Sequence, residues 1–338
     1  MDLEALRDWF DLEKRDFPWR SSPLPYPVWI SEIMLQQTQA SVVIPYFEKW
    51  MQKFPTIEAL AKASEEEIIK VWEGLGYYSR ARNLHEAAKQ LVQYQEGKLP
   101  QSSEGLLKIK GIGPYTASAI LSFAFHQKAP AIDGNVARVI ARLFSIEDDI
   151  SKLSTQKRLR ELVLQLLPDH EPWVIMEALI ELGATVCMRR PECDKCPLQR
   201  DCIGLQNGKA DRLPNKGKKG VIIRLVRFVP VICHEDLYLV QKGKEGKVMA
   251  GLYEFPYLEG KKKVPIAEVE KKFELKLSSH RELDRVKHTF TSYHAHLYPF
   301  LFSALNRKEI NGYQWLSREK LLTLPFSSGH KRILQQLR

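Results

Sequence analysis

The chain has 338 residues, of which 44% are hydrophobic, so it is long enough for one to three domains with sizeable cores. Its 51 Lys and Arg residues outnumber its 41 Asp and Glu residues, and the formal charge of +10 favours a polyanionic partner such as nucleic acid. No apolar run reaches the length that spans a bilayer, so we expect no membrane association.

The N-terminal segment, MDLEALRDWFDLEKR, is amphipathic and carries acidic side chains early. It lacks the apolar core of a signal peptide and the Arg- and Ser-rich, acid-poor character of a transit peptide. The chain has five cysteines, an odd number that argues against a full set of disulfides. We therefore expect a protein of the reducing cytoplasm.

The first two thirds of the chain has the pattern of helices joined by short polar or Gly- and Pro-containing connections. A first helix is predicted from Leu3 to about Lys14. After a Pro-rich loop, one long helix is predicted over residues 28–47, with Pro27 suited to its first turn. The pattern continues to about Leu205, and its apolar positions predict a core that includes Trp72, Ile109, Ile120 and Phe123.

Residues 106–142 combine two signals that are weak separately. A turn at Gly111 and Gly113 precedes an apolar helix predicted over residues 115–125, and the bare backbone leaves the N–H groups at the helix start open to an anion. About twenty residues later, Asp133 stands at the N-cap position of the next predicted helix. Either signal alone is usually structural, so it is their fixed order, together with the cysteine cluster described next, that suggests phosphate binding beside a carboxylate.

Four cysteines have the spacing C-x5-C-x2-C-x5-C, namely Cys187, Cys193, Cys196 and Cys202. Thiolates this close in sequence can surround one metal centre, and sulfur ligation suits zinc or an iron–sulfur cluster. Disulfides are the alternative, but they fit poorly with a reducing compartment. The spacing alone does not choose between zinc and a 4Fe–4S cluster.

The composition changes at residues 205–220, a basic segment with few large apolar residues that we predict to be a linker. Beyond it, runs rich in β-branched and aromatic residues predict strands at 221–233, 236–240, 251–255 and 293–302. Helices are predicted at 265–273 and 329–337. The chain therefore divides into a mainly α domain (1–204), the linker, and an α/β domain (221–338).

Glu32 lies in the apolar segment WISEIML. Poor solvation there would favour the neutral carboxyl and raise the pKa of Glu32, which suits a general acid near neutral pH. The simpler alternative is an amphipathic helix that exposes Glu32 to water. On the residue alone this alternative is favoured.

These segments together resemble the MutY family of adenine DNA glycosylases, a branch of the base-excision glycosylases related to endonuclease III. The matching segments are SEIMLQQTQ around Glu32, GLGYY at 74–78, DGNV from Asp133 and LGA at 182–184, with the glycine turn and the cysteines. The resemblance is strong over residues 1–204 and looser beyond. It implies a helix-hairpin-helix at about 106–125, a cluster-binding loop at 187–202 and a C-terminal Nudix-like domain.

The resemblance also implies a reaction, the hydrolysis of the N-glycosidic bond of adenine mispaired with 8-oxoguanine or guanine. The protein would act as a monomer on double-stranded DNA, after the adenine leaves the helix stack. Glu32 matches the acid that protonates adenine, and Asp133 matches the anion that stabilises the oxocarbenium-like sugar, with Tyr115 and Asn135 beside them. The adenine pocket is implied at Leu35 and Glu177, and DNA contacts at Arg20, Gln37, Thr38, Tyr77, Gly111 and Gly113.

Position 115 bears on the type of reaction. Relatives of endonuclease III carry there a lysine that forms a Schiff base and cleaves the strand, so Tyr115 implies a monofunctional glycosylase. Lys110 belongs to the turn and is not expected to serve instead. The resemblance also implies that the four cysteines bind a 4Fe–4S cluster, although the family spacing is one residue longer between Cys187 and Cys193.

The C-terminal domain resembles the module with which this family reads 8-oxoguanine. Nudix hydrolysis requires R-E-U-x-E-E-x-G-U, but Arg285 and Val286 follow residues 281–283 where paired glutamates should stand, so nucleotide hydrolysis is not expected. The family's lesion-reading segment begins Phe-Ser-His. The corresponding residues here are Phe290, Thr291 and Ser292, which implies lesion reading with the hydroxyl kept and the imidazole lost.

Two other functions remain open at this point. A mismatch glycosylase that acts on another base, such as thymine opposite guanine, would use the same scaffold. The segment around Glu32 and the C-terminal module argue against it. A non-catalytic DNA-binding protein on this scaffold is disfavoured by the intact pair of Glu32 and Asp133.

Overall fold

The structure is a computed structural model that describes residues 1–217, 222–244, 249–290 and 293–337. The chain divides into two compact units. Unit 1 contains residues 1–62 and 83–219, and unit 2 contains residues 63–82 and 220–338. Unit 2 therefore includes a segment, 63–82, from within the stretch that the sequence assigns to the helical domain.

Residues 1–217 are helical, with two short 3-10 turns at Cys193–Lys195 and Gln199–Asp201. The α-helices are α1 Leu3–Glu13, α2 Pro18–Ser21, α3 Pro25–Leu35, α4 Ala40–Lys53, α5 Ile57–Lys62, α6 Glu65–Val71, α7 Ser79–Tyr94, α8 Ser103–Leu107, α9 Pro114–Phe123, α10 Gly134–Leu143, α11 Leu153–Leu166, α12 Pro172–Thr185 and α13 Ile203–Gln206. The predicted core residues Trp72, Ile109, Ile120 and Phe123 are all buried.

The single long helix predicted over residues 28–47 is wrong, because the chain forms two helices there, α3 and α4. Gln37 adopts the left-handed conformation with a φ of +59°, which ends the first helix. Glutamine is not a helix breaker, so nothing in the residue types announces this turn. Its effect is to place residues 36–39 at the C-terminal end of α3, close to the position of Glu32.

The glycine turn forms as predicted between α8 and α9. Gly111 has a φ of +84°, and a Cβ atom there would lie 2.8 Å from Cβ of Asn83, so both the conformation and the close approach require glycine. Pro114 occupies the first turn of α9, where its missing N–H costs no hydrogen bond. Asp133 caps α10, the helix that packs against α12.

Unit 2 is an α/β domain, as the sequence predicts. Its strands are β1 Ile223–His234, β2 Leu237–Lys242, β3 Tyr253–Glu254, β4 Leu258–Glu259, β5 Leu277–Glu282, β6 Val286–Phe290, β7 Tyr293–Ala304 and β8 Gln314–Ser317. Its further helices are α14 Ile266–Phe273, α15 Arg318–Thr323 and α16 Ser328–Leu334.

The sheet of unit 2 is built around the parallel pair β1 and β7, in the order β3-β2-β1-β7-β5. β6 forms an antiparallel ladder with β7 that pairs Phe290 with Tyr293. Apolar side chains cover both faces, with α14 on one side and α15 and α16 on the other. Within the described residues of the chain, no helix combines the length and apolarity that crossing a bilayer requires.

Candidate active site

Glu32 is buried in α3 with only 6% of its surface exposed, so the alternative of a solvent-exposed face is wrong. Burial raises the pKa of the Glu32 carboxyl to about 7, against a lowering by a hydrogen bond from Tyr115. Its Oε2 atom has no hydrogen-bond partner among the described residues. A buried carboxyl oxygen without such a partner can form a hydrogen bond with a bound molecule.

Asp133 is fixed as the N-cap of α10. Its Oδ1 accepts the backbone N–H groups of Asn135 at 2.9 Å and Val136 at 2.8 Å, and its Oδ2 accepts Asn135 Nδ2 at 2.8 Å. Burial raises the pKa of Asp133 above its ordinary value, while these hydrogen bonds oppose that rise. The nearby negative charge of Asp133 in turn contributes to the raised pKa of Glu32.

Both carboxylates line one open cleft in unit 1, with a volume of about 1330 Å³. The same cleft collects most of the other residues that the sequence singled out, namely Arg20, Leu35, Gln37, Thr38, Gly111, Gly113, Tyr115, Asn135 and Glu177. The turn after α3 also supplies Gln36, whose Nε2 donates to Thr116 Oγ1 at 3.3 Å. This hydrogen bond links the end of α3 to the start of α9.

One end of the cleft carries two arginines and two glutamates. Arg20 donates from Nη2 to Glu181 Oε2 at 2.8 Å, and its Nε lies 3.8 Å from Glu177 Oε2. Arg15 donates to the other oxygen of Glu181, whose side chain is completely buried. Glu181 therefore holds Arg20 in place beside Glu177, which leaves the Glu177 carboxylate less firmly paired.

Arg138 connects the capped aspartate to the cysteine loop. Its Nη2 donates to Asn135 Oδ1 at 2.8 Å and to Gly183 O at 2.6 Å, and its Nε donates to Cys187 O at 2.8 Å. Gly183 permits the contact between α10 and α12, since a Cβ atom there would lie 2.7 Å from Asn135 Cβ. The LGA motif thus has a steric cause.

The four predicted ligand cysteines line one common cavity, and none of them is disulfide-bonded. The walls are mostly apolar, from Val186, Pro191, Leu205 and Ala210. Within the described residues, no three His, Cys, Asp or Glu side chains are placed to hold a single metal ion. The donor chemistry is that of four thiols around one cavity, which suits zinc or an iron–sulfur cluster.

Arg142 organises the loop that carries these cysteines, although it is only 2% exposed. It donates to the carbonyl oxygens of Met188 at 2.6 Å, Leu213 at 2.9 Å and Arg189 at 3.2 Å. Its Nη1 also lies 3.3 Å from Cys187 Sγ. A cation at this distance offsets the negative charge that thiolate ligands bring to the cavity.

Two sets of predicted contact residues lie in unit 2. Tyr77 is 40% exposed and adopts a left-handed φ of +49°. Phe290 ends β6, and the rest of the predicted lesion-reading segment, Thr291 and Ser292, lies outside the described residues.

Sequence reasoning missed Glu181, Arg138 and Arg142. Glu181 stands four residues after Glu177 on α12, and Arg138 stands three residues after Asn135 on α10, so helical spacing could have marked both as neighbours. Arg142 offered no such signal, because its partners are backbone carbonyls of a distant loop.

Comparison with known proteins agrees with this architecture. The model of the HhH-GPD superfamily base excision DNA repair proteins matches residues 30–165, and a NUDIX domain model matches residues 228–336. The chain is 44% identical to the adenine DNA glycosylase of Homo sapiens over 63% of this chain and 41% of that protein. It is 31% identical to the adenine DNA glycosylase of Buchnera aphidicola subsp. Schizaphis graminum over 88% of this chain and 86% of that protein.

The solved structure of a thermostable thymine-DNA glycosylase is similar with a TM-score of 0.56 and 30% identity, over 61% of this chain and 95% of that chain. The match with the human relative spans less than half of that protein's length, whereas the match with the Buchnera relative spans most of it.

Proposed function

The chain belongs to the adenine DNA glycosylases of the HhH-GPD superfamily, and we propose that it hydrolyses the N-glycosidic bond of adenine mispaired with 8-oxoguanine or guanine. The observation that carries this proposal is the buried Glu32, whose Oε2 has no partner among the described residues and whose pKa is raised to about 7. It lines the same cleft as the capped carboxylate of Asp133.

Glu32 is the proposed general acid. Adenine leaves the sugar more readily when a ring nitrogen is protonated, because the neutral base is a better leaving group than its anion. A carboxyl group with a pKa near 7 is protonated in about half of the molecules at pH 7, and the protonated form can transfer its proton to the base. The Tyr115 side chain forms a hydrogen bond with the same carboxyl group.

Asp133 is the proposed counter-charge for the oxocarbenium-like sugar. Hydrogen bonds from Asn135 and Val136 fix the carboxylate before the reaction begins, so no solvent has to reorganise as the sugar becomes positive. The target adenine must be turned out of the duplex to reach this cleft. Glu177 and Leu35 are the proposed contacts of the flipped base.

The proposed reaction is monofunctional. Tyr115 stands where strand-cleaving relatives carry the lysine that forms a Schiff base, and Lys110 is paired with Glu86. The lysine among the described residues that line the cleft is Lys216. We assign it no covalent role, because it lies at the linker end of unit 1, outside every motif that the family resemblance covers.

The four cysteines are proposed to bind a 4Fe–4S cluster. The bound cluster would fix the fold of residues 187–202 and so orient the arginine and lysine side chains of this loop. Double-stranded DNA is the proposed partner of a monomeric protein. Phosphate binding is proposed at the Gly111–Gly113 turn, further DNA contacts at Arg20 and Thr38, and insertion into the duplex at Gln37. Tyr77 is proposed to insert into the duplex, and Phe290, Thr291 and Ser292 to read 8-oxoguanine.

A panel of mispairs tests the choice of substrate. The protein is incubated with duplexes that carry adenine opposite 8-oxoguanine, guanine, cytosine or thymine, and thymine opposite guanine, and base release is scored with and without alkali. Release of adenine opposite 8-oxoguanine and guanine, with strand breaks only after alkali, is the expected result. Release of thymine alone would overturn the proposal in favour of a thymine-DNA glycosylase, the activity for which the similar solved protein is named.

A further inference from the structure

The loop that carries Tyr77 is held in one conformation by its own segment of unit 2. Gly74, Gly76 and Tyr77 all have positive φ angles, +114°, +73° and +49°. Trp72 Nε1 donates to Gly76 O at 3.0 Å, and Arg80 Nη2 donates to the same carbonyl at 3.2 Å. The Arg80 guanidinium also lies 5.5 Å from the centre of the Tyr77 ring. These contacts fix the loop in the conformation that exposes the Tyr77 ring.

Glu73, the residue before this loop, is the centre of an ionic cluster. Its side chain is only 5% exposed, and its Oε2 lies 3.0 Å from Lys70 Nζ and 2.8 Å from Lys331 Nζ. Its Oε1 accepts the backbone N–H of Phe326 at 3.1 Å. A buried carboxylate with partners on both oxygens fixes its backbone far better than an exposed ion pair does.

The partners of Glu73 belong to the C-terminal fold. Phe326 is buried in the core of unit 2, beside the start of α16, and Lys331 lies within α16. Lys70 adds two bonds of its own, from Nζ to Leu322 O at 2.9 Å and to Leu324 O at 3.0 Å. The segment before Tyr77 is therefore docked on the chain around residues 322–331.

The helix α16 is also bonded to β6, the strand that ends at Phe290. Ser328 Oγ and His288 Nε2 lie 2.7 Å apart in a hydrogen bond, and Arg332 Nη2 donates to Lys287 O. Gly329 makes the approach possible, since a Cβ atom there would lie 2.8 Å from His288 Nδ1. One short helix thus bonds to the Tyr77 segment through Lys331 and to β6 through Ser328 and Arg332.

We propose that the Glu73–Lys331 pair is a positioning device that ties the duplex-inserting Tyr77 loop, through α16, to the strand leading into the lesion-reading segment. The segment that reads the base opposite adenine and the loop that inserts Tyr77 into the duplex then move together. This inference rests on the proposed function, in which Tyr77 enters the duplex and β6 leads to the residues that read 8-oxoguanine.

The test uses the full chain with Glu73→Gln, Lys331→Gln and the double variant, and takes Tyr77→Ala as the reference for a lost ring. A duplex with 2-aminopurine beside the mispair reports local unstacking by its fluorescence, and single-turnover adenine release is measured opposite 8-oxoguanine and opposite guanine. Each single variant should lower the fluorescence change and reduce the 8-oxoguanine preference about threefold to tenfold. The double variant should lose no more than Glu73→Gln alone, because that variant already removes the pair with Lys331 together with the charge that faces Lys70.

Glu66→Gln is the matched control. Glu66 lies on α6, the helix that ends shortly before Glu73, and both members of its 3.4 Å ion pair with Lys242 are exposed, so this variant should behave as the wild type. Lys331 is 42% exposed, so Lys331→Gln still tests the pair if Glu73→Gln does not fold. Losses that multiply in the double variant, or wild-type signals in both single variants, would overturn the inference.

The two proposals fail in distinguishable ways. If the wild type unstacks the duplex but releases no adenine, the proposed reaction is wrong, and the fluorescence arm still scores the Glu73–Lys331 pair. If the wild type releases adenine and the variants match it in both readouts, only the positioning role is wrong. If the wild type binds no mispaired duplex, both are overturned.

Discussion

Arg138 donates a hydrogen bond to Asn135 Oδ1 at 2.8 Å, and Asn135 in turn donates to Asp133, the N-cap of α10. Asn135 presents its Nδ2 group to Asp133 and its Oδ1 atom to Arg138, so the arginine fixes which way the amide points. The same guanidinium donates to Cys187 O in the loop that carries the four cysteines. The position of the Asp133 carboxylate therefore depends on the cysteine loop.

Replacement of Arg138 should slow the reaction indirectly, through Asn135 and Asp133. Arg138→Gln removes the charged donor, so Asn135 can turn and Asp133 loses a fixed partner. A charge-assisted hydrogen bond contributes about 1.5–3 kcal/mol, so we expect single-turnover adenine release to fall at least about tenfold. Arg158→Gln, at an exposed pair with Asp148, is the control and should change nothing. Equal rates for Arg138→Gln and the wild type would remove this support from the account.

The pH dependence of adenine release should be bell-shaped. Glu32 must be protonated to act as the acid, so the rate should fall as pH rises through about 7, the raised pKa of Glu32. Asp133 must be ionised, so the rate should fall again at low pH, at a pKa above the ordinary value for aspartate. The measurement is the single-turnover rate on one mispaired duplex from pH 4 to 9. A rate that stays level up to pH 9 would contradict the role of Glu32.

The same buried carboxyl should lower stability at high pH. The pKa of Glu32 rises on folding from 4.5 to about 7, so its contribution is complete below pH 4.5 and is lost as pH rises through 7. Glu32→Gln avoids that loss and should raise the free energy of unfolding at pH 8 by up to about 3 kcal/mol, with no gain at pH 4. Denaturant unfolding at both pH values checks this. An equal effect at both would mean that packing, not charge, decides.

The helix contact behind the site should not tolerate a single methyl group. In Gly183→Ala the new Cβ would lie 2.7 Å from Asn135 Cβ and 2.9 Å from its carbonyl oxygen, so α12 must shift. Overpacking of this kind costs about 1–3 kcal/mol, and Asn135 should move with it. The control variant is Gly208→Asn, because a Cβ atom at Gly208 would have no neighbour within 4 Å and asparagine tolerates the positive φ there. The free energy of unfolding and the rate of adenine release are measured for both variants. A fully stable and active Gly183→Ala would show that the two helices are loosely packed.

The proposal that the enzyme is monofunctional can be tested by trapping. Borohydride added to the wild type with a mispaired duplex should capture no covalent complex beyond background, since Tyr115 cannot form a Schiff base. Lys216→Met provides the control, because Lys216 lines the cleft. Trapping that appears in the wild type and vanishes in Lys216→Met would assign a lyase step to this lysine.

The sequence identified the residues that line the cleft and the cysteine cavity better than the side chains that hold them in place. Glu32, Asp133 and the four cysteines could be named because each stands in a local pattern that its neighbours define. The turn at Gln37 could not, since a left-handed glutamine has no signature in the sequence. Glu73 escaped notice because its partners, Phe326 and Lys331, lie some 250 positions away. The side chains that hold a site depend on tertiary contacts, and residue spacing does not reveal those contacts.

The most direct test of the central claim is the chromatographic detection of free adenine from a duplex with adenine opposite 8-oxoguanine, for the wild type and Glu32→Gln under single-turnover conditions. General acid catalysis contributes about 10²–10⁴-fold, so the wild type should release adenine and Glu32→Gln should be slower by about that factor while it still binds the duplex. Release at equal rates by both proteins would contradict Glu32 as the acid. The absence of free adenine with the wild type, despite binding, would contradict the glycosylase itself.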